Sequence, residues 1–229
     1  MAMNTYHATL YTPLFYSSSE GVILASDRTL GSTALSYAFA YYLGYLKKRY
    51  FLYGKEAENH QYCELAKIKL FVSDGKPIDV NFKEETFKST EYLSERRLTV
   101  TISKETDPAW MGSRSPIPIN KVRRYVGLAP GSTFEVTAWS EETLPDDLLL
   151  TLGIRRSGEL RLKKTKPASK VHLNIYMLSQ VYGLDEETIL ELYKSSGKLV
   201  RGSDYRKHHI IDVDVKLVND RILPLILGG

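Results

Sequence analysis

Cysteine is nearly absent: Cys63 is the only one in 229 residues. No intramolecular disulfide and no cysteine-based zinc site can form, which fits a reducing cytosol. The start, Met-Ala-Met-Asn-Thr-Tyr-His, lacks a basic segment leading into an apolar core and does not read as a signal peptide. Long hydrophobic runs are missing too. The longest, Ala34 to Leu46, is broken by Ser36 and several tyrosines and falls short of the ~20 residues a bilayer span needs. Three enzyme classes lack their signatures. Gly153 to Gly158 has no Gly-Lys-Ser/Thr ending to grip phosphates, and neither a nucleophile elbow nor a His-Glu-x-x-His pair occurs. The expectation is a cytoplasmic chain with no membrane association, no cofactor and no metal. It reads as a single domain over 1–229, without repeats or linkers.

The composition is ordinary globular, 43% hydrophobic and 25% charged, which excludes disorder on a large scale. Tyrosine is the exception, sixteen against seven phenylalanines. Its flat apolar face and polar tip suit wet interfaces and base stacking, and equally a core and surface that happen to use it. Charge is uneven as well. From Arg155 to Lys170 seven cations meet one acid, Glu159, a net of +6; the whole chain is +4, so the remainder sums to −2. A local basic strip is an electrostatic footprint for a polyanion. The same charges also fit a solvated hairpin with lysines on its outer face.

Hydrophobic periodicity orders the rest. Tyr6 to Tyr11 predicts an opening strand. Leu30, Ala34, Tyr37, Ala38, Tyr41 and Tyr45 recur at threes and fours, predicting a helix from Thr29 to Lys48 with one apolar stripe. Lys47, Lys48 and Arg49 would sit at its C-terminal end, where cations suit the helix dipole. Residues 50–124 read as an inserted, hairpin-like excursion from the core sheet. Ile68 to Val72 and Leu98 to Ser103 look like strands within it, Pro108, Pro116 and Pro118 punctuate it, and Lys121, Arg123 and Arg124 close it. Thr133 to Trp139 predicts a strand with Phe134, Val136 and Ala138 on one face. Glu141, Glu142, Asp146 and Asp147 ahead of Leu148-Leu149-Leu150 predict a short helix ending at Gly153. Glu159 to Lys163 and Val171 to Met177 both alternate, predicting a hairpin tipped by Lys164 to Lys170. Asp185 to Tyr193 predicts a helix. Ile211, Val213, Val215 and Leu217 predict a strand with Asp212 and Asp214 on its solvent face, followed by a last strand, Ile222 to Leu227. This order predicts an α+β fold with a mostly antiparallel sheet: a ferredoxin-like (RNA-recognition-type) core carrying a large inserted hairpin.

Two segments carry candidate chemistry. Tyr205-Arg206-Lys207-His208-His209 holds the types that metal-independent RNA cleavage needs: a base on the 2′-hydroxyl, an acid on the leaving oxygen and a cation on the charged intermediate. On a strand, however, His208 and His209 would point to opposite faces, and a polar loop leading into Ile210 explains the segment as well. Gly153-Ile154-Arg155-Arg156-Ser157-Gly158 reads as a binding loop. Its glycines allow a tight turn and close approach to a phosphate, and its arginines allow bidentate contacts. A plain turn with exposed arginines has the same sequence. The candidate RNA-binding residues are Gly153, Arg155, Arg156 and Gly158, then Arg161, Lys163, Lys164 and Lys166 of the strip, then Lys47, Lys48, Arg49, Arg123 and Arg124.

Leu14-Phe15-Tyr16 followed by Ser-Ser-Ser-Glu-Gly, and Leu30-Gly-Ser-Thr-Ala-Leu-Ser-Tyr-Ala-Phe-Ala-Tyr-Tyr-Leu-Gly44, resemble the start of the type I-D Csc-one family in the CRISPR-associated Cas-five group. The strand Thr133 to Trp139, the leucine run and Gly153-Ile-Arg-Arg-Ser-Gly-Glu-Leu-Arg-Leu resemble its second block. These motifs are hydrophobic patterns and loops rather than catalytic signatures. The resemblance implies a ferredoxin-like RAMP subunit with a protruding hairpin. Such a subunit caps one end of a crRNA-guided surveillance (Cascade) complex, holds the guide's 5′ handle and serves antiviral DNA interference. The implied partners are crRNA, the backbone subunits and the large subunit, with target DNA near the PAM left open. On this chain Gly153 to Gly158 and its basic hairpin would grip handle phosphates. The helix from Thr29 and the excursion up to Arg124 would touch RNA or neighbouring subunits. No enzyme activity is implied, but a related subgroup processes the guide with Tyr, His and Lys. That keeps Tyr205, Lys207, His208 and His209 as a catalytic alternative. A protein-interaction module with a tyrosine-rich surface and merely solvated lysines is the third reading.

Overall fold

The computed structural model describes residues 2–16, 23–47, 62–89, 121–153, 158–196, 199–201 and 209–227. The main sheet is built around β1 (Ala2–Leu10). From it α1 (Ser32–Tyr42) crosses to β3 (Leu70–Val72), and β7 (Thr133–Ser140) lies between those two strands, antiparallel to both. On the other side of β1 lies β9 (Gly158–Lys164), also antiparallel. The order β3-β7-β1-β9 is that of a ferredoxin-like sheet. Where that fold carries its second helix, this chain places an edge strand, β8 (Asp147–Leu152), antiparallel to β9. Along β7 the edge breaks at Ser73–Asp74–Gly75 and resumes as β4 (Lys76–Asp79).

Two small sheets flank this core. In one, β5 (Phe82–Ser89) and β6 (Lys121–Leu128) pair antiparallel from Phe82↔Leu128 to Ser89↔Lys121, with β2 (Ile23–Ala25) parallel to β6. In the other, β10 (Lys170–Asn174) and β11 (Leu199–Arg201) flank β12 (Ile210–Asp214). Around it lie α2 (Glu186–Ser196) and a C-terminal helical run: α3 (Val215–Leu217), a π-helical turn Val218–Ile222 and α4 (Leu223–Leu227).

Strand alternation splits the apolar residues between two cores. Tyr6, Ala8, Leu10, Phe134, Val136, Ala138, Leu160 and Leu162 line one face of the main sheet under Leu35 and Phe39 of α1. Phe71 and Trp139 point the other way, into a core with Val171, Leu173, Leu192, Ile211 and Val213. Trp139 Nε1 donates to Asn219 Oδ1 at 2.9 Å, which ties β7 to the C-terminal helices. The C-terminal unit covers only the half of that face near Ser140, and on the other half His7, Glu159 and Lys163 are exposed. Among the described residues no helix is long and apolar enough to cross a membrane.

The α+β class, the mostly antiparallel sheet and the ferredoxin-like strand order are as expected. Several elements are corrected. The acid-led leucine run is strand β8, not a helix: Leu148, Leu150 and Leu152 are buried while Asp147, Leu149 and Thr151 are exposed. Pairing with β9 overrides a local helical signal. Glu159–Lys163 and Val171–Met177 do not form a hairpin. They belong to different sheets, β9 pairing with β1 and β8, and β10 with β12. The last apolar segment, Ile222–Leu227, is helical, because Val215, Val218, Ile222 and Leu227 are buried at spacings a helix turns inward. The strand expected through Leu217 therefore ends at Asp214. Helix α1 stops at Tyr42, since Gly44 (φ +77°) takes the left-handed conformation beyond its C-cap. Lys47 thus lies past the helix rather than in its last turn. Leu35, Ala38 and Phe39 form its buried face, while Ala34 is exposed. In the stretch read as an excursion, β3 and β4 belong to the main sheet and β5 and β6 to the separate ribbon. Leu98–Ser103 lies outside the described residues.

Candidate nucleic-acid interface

Three glycines converge on one dipeptide, Leu14–Phe15, at the C-terminal end of β1. A Cβ on Gly153 would come 2.3 Å from Leu14 Cδ1 and 2.8 Å from the Phe15 carbonyl oxygen. One on Gly158 would come 2.7 Å from Leu14 Cδ1, and one on Gly127 2.5 Å from the Phe15 ring. Leu14 also bridges to Leu128 of β6, its amide donating to the Leu128 carbonyl at 3.0 Å. Leu14–Phe15 is therefore a wedge between the base of the β5–β6 ribbon and the β8–β9 turn. The glycines of the candidate loop make room for this wedge, a reason distinct from phosphate approach. Gly153 needs glycine twice over, since its φ is +79°.

The wedge brings Gly127 of β6 together with Gly153 and Gly158 at one end of the main sheet. Arg123 and Arg124 are strand positions on β6, a few residues along from Gly127, and Gly153 and Gly158 bracket Arg155 and Arg156. The side chains of Arg123 and Arg124, and all of Arg155, Arg156, Lys48, Arg49, Tyr205, Lys207 and His208, lie outside the described residues. The other cations fall elsewhere. Six strand steps separate Gly158 from Lys164, about 20 Å at ~3.3 Å per residue. Lys47 is exposed at the opposite end, two residues after Tyr45, whose Oη is 3.5 Å from Ser140 Oγ. Arg161 is held by Asp147 through two hydrogen bonds, Nε to Oδ1 at 3.0 Å and Nη2 to Oδ2 at 2.6 Å. The bond to Arg161 holds the Asp147 carboxyl below its usual range. Lys164 pairs with Asp146 at 3.0 Å. The strip's charge is thus partly answered by acids from the neighbouring β8 turn, while Lys163 and Lys166 are exposed and make no ion pair among the described residues.

Beside Gly153 opens a cavity of about 230 Å3, walled by Leu14, Tyr16, Thr33, Tyr62, Asp74, Asn174 and Tyr176 among others. Part of the sequence's tyrosine excess lies here, a placement that composition alone does not give. Tyr16 is fixed by its hydroxyl, which donates to the Thr29 carbonyl at 2.6 Å. Asp74 sits where the edge strand breaks. Its Oδ1 accepts the Ser32 amide at 2.7 Å, capping α1 from a distance, and its own amide donates to the His172 carbonyl at 2.9 Å. Gly31, the N-cap, has no side chain to do this. Burial lifts the Asp74 carboxyl to about 7, against the downward pull of the Ser32 amide. Next to it, burial drops His172 to about 4 even though Asp212, 3.7 Å away, pulls it upward. Asp212 thus faces His172 and Lys76 rather than open solvent. His209 is half-buried, and its carbonyl accepts the Ile175 amide at 2.9 Å; Ile210 beside it reaches the cavity wall. Among the described residues no three His, Cys, Asp or Glu side chains converge as a metal site would require.

Comparison with known proteins bears on the same residues. No curated protein matches the chain. Among solved structures, a chain of the type III-B Cmr-β complex, imaged by cryo-EM with cognate target RNA and AMPPnP, is similar at 8% identity and a TM-score of 0.43, over 95% of this chain and 88% of that one. Residues 1–196, which include the wedge, the ribbon strands, the glycine-bounded loop and most of the cavity wall, match the family described as type I-D CRISPR-associated protein Cas5/Csc1. The chain belongs to that family and is a subunit of a CRISPR effector complex.

Proposed function

We propose that the chain is a non-catalytic subunit of a type I-D crRNA-guided surveillance complex that binds the crRNA 5′ handle and caps one end of the backbone. The observation that carries this reading is the convergence of Gly127, Gly153 and Gly158 on Leu14–Phe15. That convergence gives Gly153 and Gly158, which flank Arg155 and Arg156 in the sequence, and Gly127 on the β6 strand of Arg123 and Arg124 a common floor. Arginine guanidinium groups engage phosphates through bidentate, charge-assisted contacts. Backbone phosphates would set register there, and splayed bases would carry what sequence is read. Lys163 near the far end of β9 and Lys166 just beyond that strand extend the field, while Arg161 and Lys164 contribute less because each already has an acid partner. The remaining surfaces would meet the backbone subunits and the large subunit.

Arg155→Glu with Arg156→Glu should weaken binding of a repeat-derived guide by roughly 30- to 1,000-fold, as expected for losing two charge-assisted contacts of about 1–2 kcal/mol each. It should also flatten the salt dependence of binding. Unchanged affinity in a filter-binding titration would sink the site assignment. One observation favours cleavage as the alternative: His209 leads directly into Ile210 at the cavity wall. On that reading His208→Ala and His209→Ala would abolish metal-free cleavage of repeat RNA. On the reading proposed here, neither changes the RNA.

A further inference from the structure

The C-terminal helical run, which follows the residues that match the family, leaves a groove of about 390 Å3 along one flank of α2. One wall is Thr188, Glu191, Leu192 and Ser195 of α2, and the other includes Leu217, Asp220, Arg221 and Leu225. Both walls recur at threes and fours, so two helical stripes face one trough, the shape into which a third helix packs. The α2 wall is low. Thr188 and Ser195 are small, and the Ser195 hydroxyl turns back on its own helix, donating to the Leu192 carbonyl at 2.9 Å. Leu192 is buried as the floor. Leu225 stands at the lip, 59% exposed, more than any other large apolar side chain among the described residues. Glu191, Asp220 and Arg221 are exposed and make no ion pair among the described residues. Charge distinguishes this unit from the rest of the chain. Across α2 with its cap and the C-terminal run, the exposed acids are Asp185, Glu186, Glu187, Glu191, Asp214 and Asp220, against Lys194, Lys216 and Arg221, a net of −3 in a chain of +4. Such a surface repels a polyanion and attracts a basic protein segment.

We propose that this groove docks a basic amphipathic helix of another protein subunit of the effector complex, with its apolar stripe over Leu192, Leu217 and Leu225 and its lysines or arginines against Glu191 and Asp220. The inference rests on the chain's place in that complex and not on handle binding. The C-terminal wall is held ready: Asn219, beside Asp220, accepts the Trp139 Nε1 hydrogen bond at 2.9 Å. Ser140 pairs with Ala2 at the start of β1, whereas the Leu14–Phe15 wedge lies beyond its other end. The C-terminal unit covers the Ser140 half of the sheet, so the docked helix and the guide would occupy separate ends of the chain.

The test uses the effector complex purified on a tag carried by one of its other subunits, with this chain at full length. A photo-crosslinking p-benzoylphenylalanine in place of Leu225 should join the chain to one subunit, at a segment whose apolar residues recur at threes and fours and which carries Lys or Arg between them. Glu191→Lys with Asp220→Lys turns the two acids into cations facing cations. It should lower the amount of this chain retained on the tag by at least ~10-fold. Leu225→Asp should do the same by placing a charge in the apolar contact. All three positions are exposed, so the thermal melt of the free chain should not change. No crosslink, a crosslink to RNA or to a second copy of this chain, a crosslinked segment without cations, or full retention of both variants overturns the groove. Guide RNA is quantified in the same preparations. If the groove fails while the wild-type complex holds guides that depend on Arg155 and Arg156, the handle reading stands; if the groove holds and those guides do not depend on the two arginines, it is the handle reading that has failed.

Discussion

Asp74→Asn and His172→Gln should tilt the stability of the fold in opposite directions with pH. Burial raises the Asp74 carboxyl from 3.8 to about 7 in the native state. The folded chain therefore holds a proton that the unfolded chain has released, and stability falls as pH rises from about 4 to 7. The full effect is about 4 kcal/mol at ~1.4 kcal/mol per pH unit. His172 runs the other way. Burial lowers it from 6.5 to about 4, so the unfolded chain takes up a proton first, and stability is lost as pH falls from 6.5 towards 4, by about 3 kcal/mol. In wild type the two slopes oppose each other between pH 4 and 6.5. Asp74→Asn should leave the His172 slope alone, making stability rise with pH across that window. His172→Gln should leave the Asp74 slope, making stability fall. Urea titrations at half-unit pH intervals measure both; variant profiles parallel to wild type would show that neither group is buried as described.

Gly153→Ala should destabilise by about 2–5 kcal/mol, combining about 1–2 for a side chain at positive φ with about 1–3 for overpacking against the wedge. Its control is Gly131, with φ +85° and nothing within 4 Å of where a Cβ would sit, so Gly131→Ala should show only the conformational part. Gly158→Ala has the complementary defect, contact with Leu14 without the positive φ, and shortening Leu14 to alanine in that background should recover part of the loss. Chemical denaturation of the four variants separates conformation from packing. Equal losses at Gly153 and Gly131 would mean that Leu14–Phe15 is not the wedge holding ribbon and turn together.

Much of the fold is legible in the sequence where period and burial agree. Tyr6 to Leu10 of β1 and Thr133 to Val136 of β7 alternate, and α2 is preceded by Asp185, whose Oδ1 accepts the Thr188 amide at 2.6 Å, as an N-cap should. The misread elements are those where two periods fit. Asp147 to Leu152 contains four leucines in six residues, so the buried set Leu148, Leu150 and Leu152 is hidden until β9 supplies an edge to pair with. The alternation of Ile211 and Val213 runs on through Val215 and Leu217, masking the helical spacing that begins there. Gly153 and Gly158 stand out in the sequence, but their reason, a dipeptide some 140 residues away in the chain, is tertiary. Asp74 carries no local signal at all. It caps a helix 42 residues earlier, and the polar stretch around it reads as an ordinary loop.

Native co-purification with the neighbouring gene products, followed by sequencing and end mapping of the bound RNA, reaches the proposed role most directly. It should be run on wild type and on Arg155→Glu/Arg156→Glu. Handle capture predicts repeat-derived guides with a uniform 5′ end in wild type, lost or strongly depleted in the double variant. Complexes that assemble with no enriched RNA, or guides that the double variant retains in full, would contradict it.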